Sequence, residues 1–171
     1  MKKKICRLSV LLMILLISSS WALIDRQEQK NRIIKARDAL FSSPGTKDTL
    51  INSLGEFLDV VVELTSSSQY TEEITHHVEV AKDLIKKTSL FNDKARQYLS
   101  LAYRMITNGQ KYQRPEELDE FVTPAEAQQK AISYAKKLIE KSLVELESDN
   151  TENAAKYLLE VVILVVTPVS G

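Results

Sequence analysis

Ile74-Thr75-His76-His77-Val78-Glu79-Val80-Ala81-Lys82-Asp83-Leu84-Ile85-Lys86-Lys87-Thr88 is the stretch that decides the fold. Ile74, His77, Val78, Ala81, Leu84, Ile85 and Thr88 fall three or four residues apart and line one face of a helix, whereas a strand would alternate every second residue. Downstream, Ala95, Tyr98, Leu99, Ala102, Met105 and Ile106 repeat that spacing. Phe91-Asn92 is placed to cap this helix, and Gly109 follows its end. Upstream, Leu50, Leu54, Phe57, Val61 and Leu64 form a bundle-type seam, widened by Ile51, Leu58 and Val62.

The sharpest helix start is Thr123-Pro124-Ala125-Glu126. Thr123 can cap, Pro124 stands where no amide donor is needed, and Glu126 can reach back to close a capping box. A helix to about Ser148 follows, with Ala131, Ile132, Ala135, Leu138, Ile139, Leu143 and Leu146 as its buried stripe. Asp149-Asn150-Thr151-Glu152 reads as a tight turn and cap, so the last helix folds back on its predecessor. An opening helix from about Asp25 to Phe41 is polar from Arg26 to Arg32. Its first turns are expected to fray, with Ile33, Ile34, Leu40 and Phe41 holding its second half.

Ser42-Ser43-Pro44-Gly45 and Ser66-Ser67-Ser68-Gln69 end the first two helices, which pairs first with second, third with fourth and fifth with sixth. The expected fold is all-α: a single-domain antiparallel helical bundle of about six helices, three helical hairpins, over residues 23–171. Four glycines and four prolines in 171 residues provide little of the turn punctuation that a many-stranded β fold needs. Ala-x-x-Tyr-Leu recurs at Ala95 and Ala154, and Ala131 begins a near match. These starts lie 36 and 23 residues apart, which fails the fixed period of a helical repeat array.

Residues 1–22 have a different character. Lys2, Lys3, Lys4 and Arg7 precede the apolar run Leu8 to Ile17, and Ser20 and Ala22 supply small residues for cleavage after Ala22, the three parts of a secretory signal peptide. The run is short of the roughly 20 residues a spanning helix needs, and the lone Cys6 precedes it, where no lipid attachment site is expected. The expected location is extracytoplasmic, periplasmic or secreted, with a soluble product and no membrane span after cleavage.

Loss of Cys6 leaves no thiol, which excludes disulfides, zinc-thiolate sites and cysteine catalysis. With four of the 23 basic residues and none of the 23 acidic ones in the segment, the remainder carries 19 against 23, a net charge of −4. That balance argues against a nucleic-acid partner, since phosphate binding draws on excess Lys and Arg.

Three features are candidates for function. Glu72, His76, Glu79 and Asp83 fall at helical spacing, one stripe of imidazole and carboxylates of the kind that holds zinc, copper or iron. The alternative for Glu72 and Glu73 is the favourable position of acidic side chains at a helix start. His77, on the apolar face, reads as a core residue, and both histidines are candidates to charge near pH 6. A carboxylate-bridged di-iron site fails because it needs Glu-x-x-His on two helices, and a zincin fails because His-Glu-x-x-His is absent.

The second candidate is the connector Gly109 to Val122, long for a helix-to-helix loop. Tyr103, Arg104, Lys111, Tyr112 and Arg114 give its basic end the side chains that most often carry interface energy. The structural alternative is a short helix opened by Pro115 that packs Leu118 and Phe121 over the bundle end. The third candidate is Tyr157 to Val166, apolar almost all round, a helix that must be surrounded. A central core helix is the first reading, and a homodimer through this face the second.

No Gly-x-Ser-x-Gly, phosphate-binding glycine loop or dinucleotide fingerprint occurs. The expected role is non-enzymatic and without a cofactor: binding of an extracytoplasmic protein or peptide through the connector. The alternative is a carrier of a metal at the His76 stripe or of a small apolar ligand between helices.

Overall fold

The computed structural model describes residues 25–42, 46–88, 91–118 and 123–167. The expected signal segment at 1–22, most of the Ser42 to Gly45 turn, and Phe121 lie outside them. Among the described residues the chain is helical: α1 (25–41), α2 (Lys47–Leu64), α3 (Thr71–Lys87), α4 (Asp93–Ile106), a 3-10 turn (Glu116–Leu118), α5 (Pro124–Glu147) and α6 (Thr151–Val166), with no strand. None of these helices is long and apolar enough to cross a membrane.

The helix ends follow from local chemistry. The Thr123 hydroxyl accepts from the Glu126 amide, and the Glu126 carboxylate accepts from the Thr123 amide at 2.9 Å, closing the capping box ahead of Pro124. The Asn92 side chain accepts from Lys94 and Ala95 amides, Thr46 caps α2, and Asn150 caps α6. Each such cap contributes about 1 kcal/mol. Asn108 (φ 53°), Gly109 (φ 98°) and Asp149 (φ 64°) turn the chain at the ends of α4 and α5. Only Gly109 does so without a Cβ penalty.

α6 is the central helix. It packs against α2, α4 and α5, and Leu158, Leu159, Val161, Val162, Ile163 and Val166 are almost wholly buried. Each such side chain contributes about 1.5–3 kcal/mol relative to exposure. An apolar helix of this kind needs neighbours on every side, and this chain provides three. α3 packs on α4 and α2, and α2 buries one broad face, from Ser53 and Leu54 to Leu64. Ser142 is fully buried, with its hydroxyl donating to the Ala154 carbonyl at 2.9 Å. That bond satisfies both groups where α5 meets the small Ala154 and Ala155 of α6.

Two expectations need correction. Ile132 is 39% exposed, outside the buried stripe of α5, while Ala131 and Leu143 are half-buried. α6, α1 and the 3-10 turn lie against α5 and leave Ile132 partly uncovered, so its buried arc is narrower than its apolar pattern. The polar first half of α1 is helical from residue 25 and is tied down by charge. Arg26 pairs with Asp149, Lys30 with Glu147 at 2.8 Å, and Arg32 with both Glu56 and Glu63. In the second half Ile33 and Ala36 reach the core, and Lys136 lies over the Phe41 ring.

Candidate functional site

The four residues of the metal stripe, Glu72, His76, Glu79 and Asp83, all lie on the exposed face of α3. The Asp83 carboxylate is held by Lys87 one turn away at 2.6 Å, and this hydrogen bond and charge depress its pKa. Among the described residues no three His, Cys, Asp or Glu side chains converge on a position that could hold a metal. Exposed side chains on a single helix point outward and diverge, and no second element faces this stripe to close a coordination shell.

His77 turns the other way, with its ring 5.7 Å from Tyr98 of α4 and 5.6 Å from His76. Its Nδ1 is buried without a hydrogen-bond partner. Burial lowers its pKa, His76 adds to that effect, and Glu73 opposes it. His77 therefore takes up a proton less readily than an ordinary imidazole.

The five connector residues divide between the inside and the outside. Tyr103 is buried, and its hydroxyl donates to Glu160 Oε1 at 2.9 Å, tying α4 to α6. The Tyr112 ring meets Tyr103 edge to face, 5.7 Å between centroids at 83°, so the connector is fastened by an aromatic plug. The Tyr112 hydroxyl is buried without a partner. Burial and the Glu160 carboxylate raise both phenol pKa values far above the ordinary range, and Tyr134 of α5 is raised for the same reasons. The Glu160 pKa is raised by burial, against the hydrogen bond from Tyr103 and the charges of Lys156 and Lys141. Both lysines also lie against the Tyr157 ring, at 4.9 and 5.6 Å.

Tyr103 and Tyr112 therefore position the surface; they are not the surface. Sequence reasoning missed this cluster. The available signal was Glu160, a carboxylate on a helix otherwise apolar from Leu158 to Val166, which burial obliges to find a donor. Further along the connector, Leu118 is buried, and its amide bonds to the Pro115 carbonyl at 3.0 Å, the short helical turn expected there.

Arg104 and Lys111 are exposed, and Arg114 is half-buried near Tyr112. Among the described residues neither Arg104 nor Lys111 forms an ion pair. Arg104 lines an open depression of about 430 Å³ with Tyr70, Leu101, Met105, Asn108 and Gly109. Tyr70 and Leu101 are 38% and 39% exposed there, large apolar surface left in water. A groove of about 230 Å³ between α2 and α3 differs in kind, since the Lys82–Asp59 ion pair bridges those two helices at its wall. Beside Arg104, by contrast, no ion pair among the described residues spans the depression. Compared with protein-family models, curated proteins and solved structures, the chain matches none of them.

Proposed function

We propose that this chain is exported, loses residues 1–22, and acts as a non-enzymatic helical protein that binds a protein or peptide at the C-terminal end of α4. The observation that carries the reading is the depression beside Arg104. It combines exposed Tyr70 and Leu101, the adaptable thioether of Met105 and a cation that has no carboxylate partner among the described residues, the mixture that concentrates binding energy at interfaces. Export rests on the pattern of the first 22 residues.

The helices form antiparallel hairpins in this reading. Along α1 and α5, Arg26, Lys30 and Phe41 meet Asp149, Glu147 and Lys136, and along α5 and α6, Lys141, Ser142 and Glu145 meet Tyr157, Ala154 and Asn153, so residue numbers rise on one helix as they fall on the other. Dimerisation through α6 is not part of the reading, because α2, α4 and α5 cover that helix.

Site-specific photocrosslinking in the native host tests the reading. A crosslinker at Leu101 is expected to trap a discrete partner, and one at exposed Val144 of α5 is not. Equal labelling from both positions, or none from Leu101, would discard this site. Mass spectrometry of the same material is expected to find Leu23 as the first residue.

A further inference from the structure

The lining of the depression limits what can fill it. Among the described residues Arg104 is its one charged lining residue and has no carboxylate partner, so its guanidinium keeps its planar fork of donors for another molecule. Lys111, a second cation without an ion pair among the described residues, follows two residues after Gly109. Glu72 and Glu73 begin α3 just beyond Tyr70, yet neither pairs with Arg104. The remaining surface is apolar or neutral: Tyr70, Leu101 and Met105, then Asn108 and Gly109 where the backbone turns. A Cβ at Gly109 would meet nothing within 4 Å, so this rim is open to an incoming chain. About 430 Å³ of open space suits one or two side chains, whereas a large rigid ligand would need deeper enclosure.

From this charge complementarity we infer that the depression receives an acidic peptide segment, with an Asp or Glu carboxylate on Arg104 beside a bulky aliphatic or aromatic side chain seated on Tyr70, Leu101 and Met105. The inference rests on the peptide-binding reading above and adds the chemistry of the partner. The tyrosine plug contributes indirectly. By fastening the connector to Tyr103 and Glu160 it fixes the backbone just past Gly109, so the exposed cations start from an ordered frame.

Selection of a random peptide-display library on the full mature chain tests it, with Arg104→Glu and Leu101→Asp selected in parallel. Both substitutions lie at exposed positions, and unchanged circular dichroism and melting temperature would establish that the variants fold. Wild-type pools are expected to enrich Asp or Glu next to Leu, Ile or Phe, and Arg104→Glu to exchange that preference for Lys or Arg. A synthesised winner is expected to lose about tenfold or more in affinity on Arg104→Ala, with part recovered by Arg104→Lys, because a charge-assisted hydrogen bond is lost and then partly restored. Enrichment without an acidic bias, or with the same bias on Arg104→Glu, would overturn the acidic-peptide inference and leave peptide binding standing. Equal pools from wild type and Leu101→Asp would overturn both.

Discussion

α4 is flanked by two aromatic clusters, each containing a buried polar atom without a partner, and they respond to protons in opposite ways. On the α3 side, the His77 ring is tilted against Tyr98; on the α6 side, Tyr103 and Tyr112 gather near Glu160; among the described residues neither His77 Nδ1 nor the Tyr112 hydroxyl has a hydrogen-bond partner. Burial is the largest cause of both shifts, and burial always disfavours the charged form. For a base that lowers the pKa, and for an acid it raises it. One physical cause therefore gives the two flanks of α4 contrary pH behaviour.

The largest effect is expected from removing packing next to both clusters. Leu99, fully buried, sits one residue from Tyr98 and one turn from Tyr103, so Leu99→Ala should cost about 2–5 kcal/mol in urea unfolding. Next, Tyr103→Phe removes the donor to Glu160 and should cost about 1–3 kcal/mol. Tyr98→Phe, whose hydroxyl makes no hydrogen bond among the described residues, should stay within about 0.5 kcal/mol. Equal losses for the two would mean that the Glu160 bond contributes nothing.

Titration sharpens the contrast. The folded-state pKa of Glu160 lies above its unfolded value, so its contribution is full below the unfolded pKa, near 4.5, and is lost as pH rises through the folded one. Glu160→Gln should flatten that part of the curve of melting temperature against pH. His77 has the opposite sign: its folded pKa lies below 6.5, so its contribution is present above 6.5 and is lost as pH falls through the folded value. His77→Gln should remove this acid sensitivity, and an unchanged profile would show that His77 titrates freely. The smallest effect is expected at exposed His76, where His76→Ala should shift unfolding by less than about 0.5 kcal/mol.

Much of the fold was legible because helices announce themselves locally. The periodicity of Ile74 to Thr88, the Thr123 capping box and Asn92 each involve residues within a few positions of one another, and the structure places helices and caps there. The candidate site was legible only in composition. Tyr103 and Arg104 are neighbours in sequence and were grouped as one surface, yet successive helical residues point about 100° apart, and here the core lies on one side only. Ile132 was misread for a related reason, since an apolar residue is buried only where a neighbouring element covers it.

By itself the sequence determined that this chain is helical and where most of its helices begin and end, because these depend on contacts within a few turns of chain. Tertiary structure decided which helix lies at the centre, which tyrosines become scaffold, that charge holds down the start of α1, and that Arg104 is exposed with no ion pair among the described residues. Those outcomes depend on what lies opposite each side chain across the bundle. Residues such as Tyr103 and Glu160 are 57 positions apart, and no local pattern records their meeting.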